Sequence, residues 1–289
     1  MRELRFTIDR QSEGRRVGRL ATSLAGLSET AYRSGKQAQI LRLNGEPVHA
    51  NRRAQAGDTL SVLLPEPAPV RVEALAGLPV VWFDEDLIVL DKPAPLPTMS
   101  GRLNDRPSLE GMVKAAFGDF RPVNRLDSGT SGLMLCARTA YAQALAQKML
   151  HTETFVREYL AVTEGCPQEE RGQIDAPIGH DPKHVSKRMI RPDGKAAKTD
   201  YCVLERQGNR ALLRLRLQTG RTHQIRVHLA WAGAPIVGDY LYGKDEEKLP
   251  GRFALHSAYL SLRHPLSGEY LTFESDMPPE LRDLLRAGD

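Results

Sequence analysis

Within residues 121–138, RPVNRLDSGTSGLMLCAR, one acid, Asp127, stands directly before a tight turn, Ser128-Gly129-Thr130-Ser131-Gly132, and an apolar strand over residues 133–137. That succession sets a single carboxylate at the rim of a hydrophobic core, where it has to be paired, hydrated or neutralised. A turn acid bonded to nearby backbone N–H groups meets the demand without any chemistry. A carboxylate kept charged by a facing cation can instead serve as nucleophile or base.

A second group of candidates lies in residues 212–238. Leu213-Arg214-Leu215-Arg216-Leu217 alternates strictly, which predicts a half-buried strand. Thr219-Gly220 turns the chain into Arg221-Thr222-His223-Gln224-Ile225-Arg226-Val227-His228-Leu229. Thr222 can cap a helix whose Ile225, Leu229 and Ala232 face inward and whose stop is Gly233. Arg221 then stands at a strand-to-helix junction, where its fork can grip a carboxylate bidentately. His223 and His228 suit the orientation of helix and loop. His180 and His184 have a metal-like spacing, but Pro182 between them opposes a helix and no third ligand is apparent, so no metal site is expected.

The elements that must position these groups follow from the rest of the chain. Its 289 residues, 41% hydrophobic and 26% charged, suit one large soluble domain or two ordinary ones. No apolar run approaches a membrane span and residues 1–5 open no signal peptide, so no membrane is expected as a partner. Three widely separated cysteines, Cys136, Cys166 and Cys202, fit a reducing cytoplasm. Residues 1–75 hold 12 Lys/Arg against 8 Asp/Glu, whereas residues 76–289 hold 28 of each. A small basic module on a neutral body fits a nucleic-acid anchor.

Residues 1–64 read as a compact domain. A helical pattern over residues 17–27 puts Leu20, Leu24 and Leu27 on one face, and Ser28 can cap a second helix over residues 29–34 stopped by Gly35. Asn44-Gly45 is a hairpin turn after residues 40–43, and Ala56-Gly57-Asp58 turns into a strand over residues 59–64. The proline-rich residues 65–79 form a stiff linker, and residues 80–289 form the body. The body opens with strands at 80–83 and 87–90 around the turn Asp84-Glu85-Asp86. A loop rich in proline and glycine over residues 94–107 is expected to be mobile. Helices follow at 109–116 and at 140–151, the latter with Ala144, Leu145, Met149 and Leu150 inward, then a strand over residues 156–162. The alternating strands make the class α+β.

Asn124-Arg125-Leu126-Asp127-Ser128-Gly129-Thr130-Ser131-Gly132-Leu133 resembles the H-R-L-D-x-x-T-S-G-L-L-L segment of the RluA-type pseudouridine synthases, with Asp127 at the catalytic aspartate. Asn124 stands where that family usually has histidine. Arg157-Glu158-Tyr159-Leu160-Ala161 resembles its K/R-x-Y-x-A segment, Arg221 to Leu229 its R-T-H-Q-I-R-V-H-L segment, and Gly194 to Thr199 its G-K-x-A-x-T segment. The likeness spans roughly residues 80–289. The two short helices, the x-L-N-G-x-x-V turn and A-G-D-x-L-x-V of residues 1–64 resemble an S-four-like RNA-binding domain.

The resemblance implies a pseudouridine synthase fold with a mixed, largely antiparallel sheet, and an isomerase that turns uridine into pseudouridine in RNA. Asp127 is then the catalytic acid, Arg221 the arginine that pairs with it, and Tyr159 the residue that stacks on the uracil. Arg125 fills the gap left by a flipped base. Lys92, Lys187, Arg188, Arg33, Lys36, Arg52 and Arg53 are candidate RNA contacts, each also at home on a solvated basic surface. The isomerisation has no redox change, so no cofactor is expected, and the chain offers neither a P-loop nor G-x-G-x-x-G. Ribosomal RNA is favoured over transfer RNA, and a monomer without an obligate protein partner is expected. Two other readings stay open: a non-catalytic RNA-binding protein, and a hydrolase, for which Asp127 lacks a clear second acid.

Overall fold

The computed structural model describes residues 1–27, 40–101, 107–150, 152–244, 247 and 249–288. The helix expected at residues 29–34, together with Arg33, Lys36 and His151, lies outside the described residues.

Residues 1–64 build a four-stranded sheet from β1 (Arg2–Thr7), β2 (Leu41–Leu43), β3 (Glu46–Pro47) and β4 (Thr59–Leu64), in the order β1-β4-β2-β3. Asn44 and Gly45 both take positive φ (52° and 86°), the conformation that a two-residue hairpin demands. Helix α1 (Val17–Ala25) covers the sheet with Val17, Leu20 and Ala21, and ends on Gly26 in the left-handed region. Leu24, expected on the same face, points outward at 41% exposure, because the buried stripe runs one position later through Ala21 and Ala25.

The second half of the 65–79 segment is not a free linker. Val72–Leu75 forms a 3₁₀ turn against helix α2 (Leu109–Phe117), with Arg71 N–H on the Ala116 carbonyl at 2.8 Å, and Val70, Ala74 and Leu75 join the main core. Helix α2, expected over residues 109–116, starts on a Ser108 cap and stops at Gly118 in the left-handed region.

The body is one large sheet. Its strands in chain order are β5 (Val80–Phe83), β6 (Leu87–Lys92), β7 (Arg121–Pro122), β8 (Ser131–Ala137), β9 (Phe155–Glu164) and β10 (Arg171–Asp175). After a small separate hairpin of β11 (Ile178–His180) and β12 (Arg188–Ile190) come β13 (Lys198–Gln207), β14 (Arg210–Leu217), β15 (Leu255–Arg263) and β16 (Tyr270–Glu274). The order is β10-β13-β14-β9-β15-β8-β6-β5, with β16 on β15 and β7 on β8. Every pairing is antiparallel except β8 with β15. The fold is therefore α+β with a mixed, largely antiparallel sheet. Strand β8 is buried at every residue, which explains its unbroken apolar run.

Helix α3 (Ala140–Met149) packs across the other side of the sheet. It buries Tyr141, Ala142 and Ala146 most fully, and Met149 and Leu150, expected inward, pack against the same core while Ala144 stays half-buried. Leu145 faces the amino-terminal module instead, along with Leu266. Tyr141 donates its hydroxyl to the Ala25 carbonyl, Lys148 reaches the Gly26 carbonyl at 3.1 Å, and Arg2 pairs with Asp86 at 2.6 Å. Among the described residues no helix is long and apolar enough to cross a membrane.

The parallel crossing of β8 and β15 explains the Ser131-Gly132 pair. Gly132 has φ 106° and sits opposite Ser257, so a β-carbon there would lie 2.3 Å from the Ser257 carbonyl oxygen and 2.6 Å from its nitrogen. Both atoms are backbone and cannot yield cheaply. Gly132→Ala is expected to cost about 3 kcal/mol or more. Urea unfolding of the two proteins would show this as a fall in the midpoint.

Candidate active site

Asp127 occupies the turn that leads into β8, and its own carbonyl accepts the Thr130 N–H at 3.1 Å. Two straps hold this turn from outside. Residues 94–101, expected to belong to a mobile loop, are bonded to it: Leu96 N–H reaches the Ser128 carbonyl at 3.1 Å and the Thr98 hydroxyl reaches the Leu126 carbonyl at 2.6 Å. Asn124, standing where a histidine is usual in the RluA-type segment, is buried and accepts the Leu135 N–H at 2.8 Å, which ties the loop to β8.

Lys92, a candidate RNA contact, is instead wholly buried at the end of β6. Its Nζ reaches the carbonyls of Leu96 (2.8 Å), Pro93 (3.0 Å) and Ser128 (3.2 Å), so it stitches the strap to the turn and cannot reach a phosphate. Burial pushes its ammonium down to about 7, against the pull of the Asp127 charge.

The cation that faces Asp127 is Arg226. Its Nη1 donates to Asp127 Oδ2 at 2.9 Å, while Nε and Nη2 grip the two oxygens of Asp239 at 2.7 Å each. Asp239 is fully buried and also accepts the N–H groups of Leu241 and Tyr242. The guanidinium lies 4.2 Å from the centroid of the Phe253 ring and 5.1 Å from that of Tyr242. Burial works against its charge, but Asp239 and Asp127 outweigh it and raise the Arg226 pKa further above its ordinary value.

Arg221, expected to face Asp127, bonds the Ala196 carbonyl through Nε at 3.0 Å and lines the rim of the same cleft. The reason lies in the helix start. Helix α4 (Gln224–Trp231) begins one residue later than Thr222 capping requires, on a His223 cap whose φ is 57°. Arg221 is thereby left in the loop, while Arg226 falls on the buried first turn. Gln224 makes this junction: its Oε1 accepts the Arg221 N–H (3.0 Å) and the Thr219 hydroxyl (2.8 Å), and its Nε2 donates to the Lys198 carbonyl and Thr199 hydroxyl. Gly233 does end the helix in the left-handed region, but Ala232 is exposed rather than inward.

His223 is half-buried with Nε2 3.8 Å from Asp127 Oδ2 and Nδ1 2.9 Å from the Tyr242 hydroxyl. The Tyr242 oxygen already accepts the Arg188 N–H at 2.8 Å, so its proton is free to go to Nδ1 and the imidazole N–H faces Asp127. Burial lowers the His223 pKa, partly opposed by the Asp127 charge, so the ring is neutral at neutral pH. His228 is fully buried between the Thr199 hydroxyl and the Ala176 carbonyl, at 2.9 Å from each.

Tyr159 on β9 and Arg125 beside Asp127 line the same cleft, Tyr159 buried and Arg125 exposed. Burial pushes the Tyr159 phenol up, with Arg157 and the Ser257 side chain pulling the other way. Of the remaining candidates, Lys187 lies 5.5 Å from the centroid of the Tyr242 ring and Arg188 is half-buried at the start of β12. Arg52 and Arg53 are exposed on the amino-terminal module, where Arg53 bonds the Gly14 carbonyl at 2.6 Å. The sequence offered little sign of Asp239, which lies 13 residues beyond Arg226 after a glycine.

Asp84, Asp86 and His264 also converge, outside this cleft. His264 Nδ1 accepts the Ser267 N–H, its Nε2 lies 3.1 Å from an Asp84 carboxylate oxygen, and Arg2 pairs with Asp86.

Residues 86–231, which contain Asp127, Tyr159 and Arg226, match the family model described as RNA pseudouridylate synthase. The chain belongs to the RNA pseudouridylate synthase family. It is 34% identical over 301 residues to the uncharacterized RNA pseudouridine synthase YlyB of Bacillus subtilis, covering 99% of this chain and 98% of that one. It is also 34% identical to ribosomal large subunit pseudouridine synthase D of Nitrosomonas europaea, over 93% of this chain and 84% of the relative. Among solved structures it resembles human RNA pseudouridylate synthase domain containing 1, at a TM-score of 0.58 and 28% identity over 73% of this chain and 86% of that one. The protein is thus an isomerase of the RluA type that converts uridine to pseudouridine in RNA.

Two outcomes follow for the synthase. Asp239→Asn, which leaves Arg226 with a neutral partner, is expected to lower pseudouridine formation at least tenfold and to cost about 3 kcal/mol of stability; a single-turnover assay and a melting curve read the two effects. Lys92 is protonated in the unfolded chain up to about pH 10.5 and in the folded one only to about 7. Between those values the unfolded state binds the extra proton, so stability rises with pH. Lys92→Met is expected to flatten that rise, which denaturation at pH 7 and pH 9.5 would measure.

Proposed function

We propose that Asp127 is the catalytic acid of the synthase and acts on a uridine flipped out of its RNA. The observation that carries this reading is a carboxylate, 30% exposed in the cleft, held through one N–H of the buried Arg226–Asp239 pair. The isomerisation breaks the C1′–N1 bond, turns the uracil and forms a C1′–C5 bond; N1 gains a proton and C5 loses one. A single fixed, charged carboxylate supplies what the sugar or base requires in that sequence.

Tyr159, buried at the cleft wall, stacks on the uracil. Arg125, exposed next to Asp127, enters the helix in place of the flipped base, whose removal from the stack costs roughly a few kcal/mol. Arg221 serves at the rim, towards the RNA backbone, with Lys187 and Arg188 on the neighbouring hairpin. Residues 1–64 act as an S-four-like RNA-binding module with Arg52 and Arg53 among its contacts, the body over residues 80–289 carries catalysis, and the protein works in the cytoplasm as a monomer. Ribosomal RNA is the favoured substrate, supported by the similarity to the large-subunit synthase D relative.

The test is to incubate the wild type and Asp127→Asn with unmodified cellular RNA and map pseudouridine by carbodiimide labelling and reverse transcription. New stops on ribosomal RNA with the wild type that vanish with Asp127→Asn are the expected result. Stops that survive the substitution would remove Asp127 from the chemistry, and stops confined to transfer RNA would overturn the substrate preference.

A further inference from the structure

Among the described residues three lysine or arginine side chains are buried, and Arg157, beside the cleft, is the least partnered of them. Lys92 is met by three carbonyls and Arg226 by two carboxylates. Arg157, on β9, is only 5% exposed, yet among the described residues it forms no ion pair. Its Nε is buried without a hydrogen-bond partner, and its Nη2 makes a single long contact to the Leu150 carbonyl at 3.4 Å. The Phe155 ring, with its centroid 5.4 Å away, covers it on one side. Nη1 lies against Gly220, where an added β-carbon would sit 3.6 Å from it.

Removing a guanidinium from water without an anion is costly, by several kcal/mol in folded proteins. A neutral carbonyl at 3.4 Å offsets little of that. The group nonetheless lines the same cleft as Asp127 and Tyr159, between the Gln147 end of α3 and the loop at Gly220 and Thr222. Phe155, Arg157 and Tyr159 alternate on one buried face of β9. Arg157 is therefore displaced from Tyr159 by two residues, about 7 Å along the strand. That offset is close to the reach from a base to its own backbone.

We propose that Arg157 is an anion site for the substrate: it binds a backbone phosphate of the nucleotide whose base rests on Tyr159. This rests on the reading of Tyr159 given above. The free protein holds the charge desolvated and under-paired, and RNA supplies the missing anion in a geometry that the rigid strand has already set. A guanidinium suits this task because its planar fork meets phosphate oxygens through two parallel N–H groups. Covered by Phe155 and Gly220, Arg157 is screened by salt less than the exposed Arg125 and Arg221 are.

The experiment compares wild type, Arg157→Met and Arg157→Lys for binding to unmodified large-subunit ribosomal RNA transcribed in vitro, across a salt series, with melting curves of each protein alone. For Arg157→Met the slope of log affinity against log salt is expected to fall by about one and affinity to fall roughly tenfold. Its melting temperature is expected to be unchanged or raised, because an apolar side chain relieves the burial of an unpaired charge. Arg157→Lys should restore the slope. Arg157→Gln, which keeps a donor for the Leu150 carbonyl, runs alongside in case methionine unfolds the strand. A wild-type slope in the methionine and glutamine variants overturns the assignment, and a lowered melting temperature with that slope makes Arg157 a structural residue. Pseudouridine formed by the wild type and by Asp127→Asn on the same RNA reports separately on the catalytic reading, so failure of that reading leaves the binding result to be judged by itself.

Discussion

The cleft depends on keeping a full ion pair out of water. Asp239 and Arg226 lie almost wholly inside the protein, where each charge alone would cost several kcal/mol. Two parallel hydrogen bonds, two further backbone N–H groups on Asp239 and the face of Phe253 offset that cost. Every one of these contacts also removes a direction in which the guanidinium could turn. What remains for Asp127 is one N–H at one angle. The orientation of the Asp127 carboxylate is thus decided by a buried pair behind it.

Two hydrogen bonds and a 3.8 Å approach of His223 to Asp127 join the same carboxylate to the surface hairpin of β11 and β12. The Arg188 N–H fixes the Tyr242 oxygen, Tyr242 fixes the His223 ring, and His223 turns its N–H towards Asp127. His223 holds φ 57° to do so, a conformation that side chains with a β-carbon seldom adopt. Such strain persists where surrounding contacts over-determine it. Basic residues on the hairpin therefore sit at one end of a relay whose other end is the cleft.

Much of the architecture was legible because it rests on local rules. The alternation at residues 213–217, the continuous apolar run of β8 and the turn at Asn44-Gly45 all express periodicity or backbone preference. The departures have a common cause, which is tertiary partnership. Leu24 and Leu145 take other directions because the buried faces of their helices run through alanines. Arg221 and Arg226 are equally plausible partners for Asp127 on paper. The choice turns on where α4 begins, and Gln224, bonded to four different residues, decides that. Lys92 reads as a surface lysine until the carbonyls around it are known, and Asp239 has no sequence pattern of its own. Membership of the family could be read from motifs; the electrostatic scaffold behind them could not.

The contact between α1 and α3 bears on how such a protein can be divided. Tyr141, Leu145 and Leu266 belong to the body in sequence but to the core of the amino-terminal module in space. Arg2 and Lys148 add polar clasps on either side. Cutting the chain at its proline-rich segment would therefore bare an oily seam on the larger fragment and leave the smaller one without part of its filling. The two halves are joined as neighbouring stones are joined, by the shape of the face between them, and the peptide that connects them is the lesser bond.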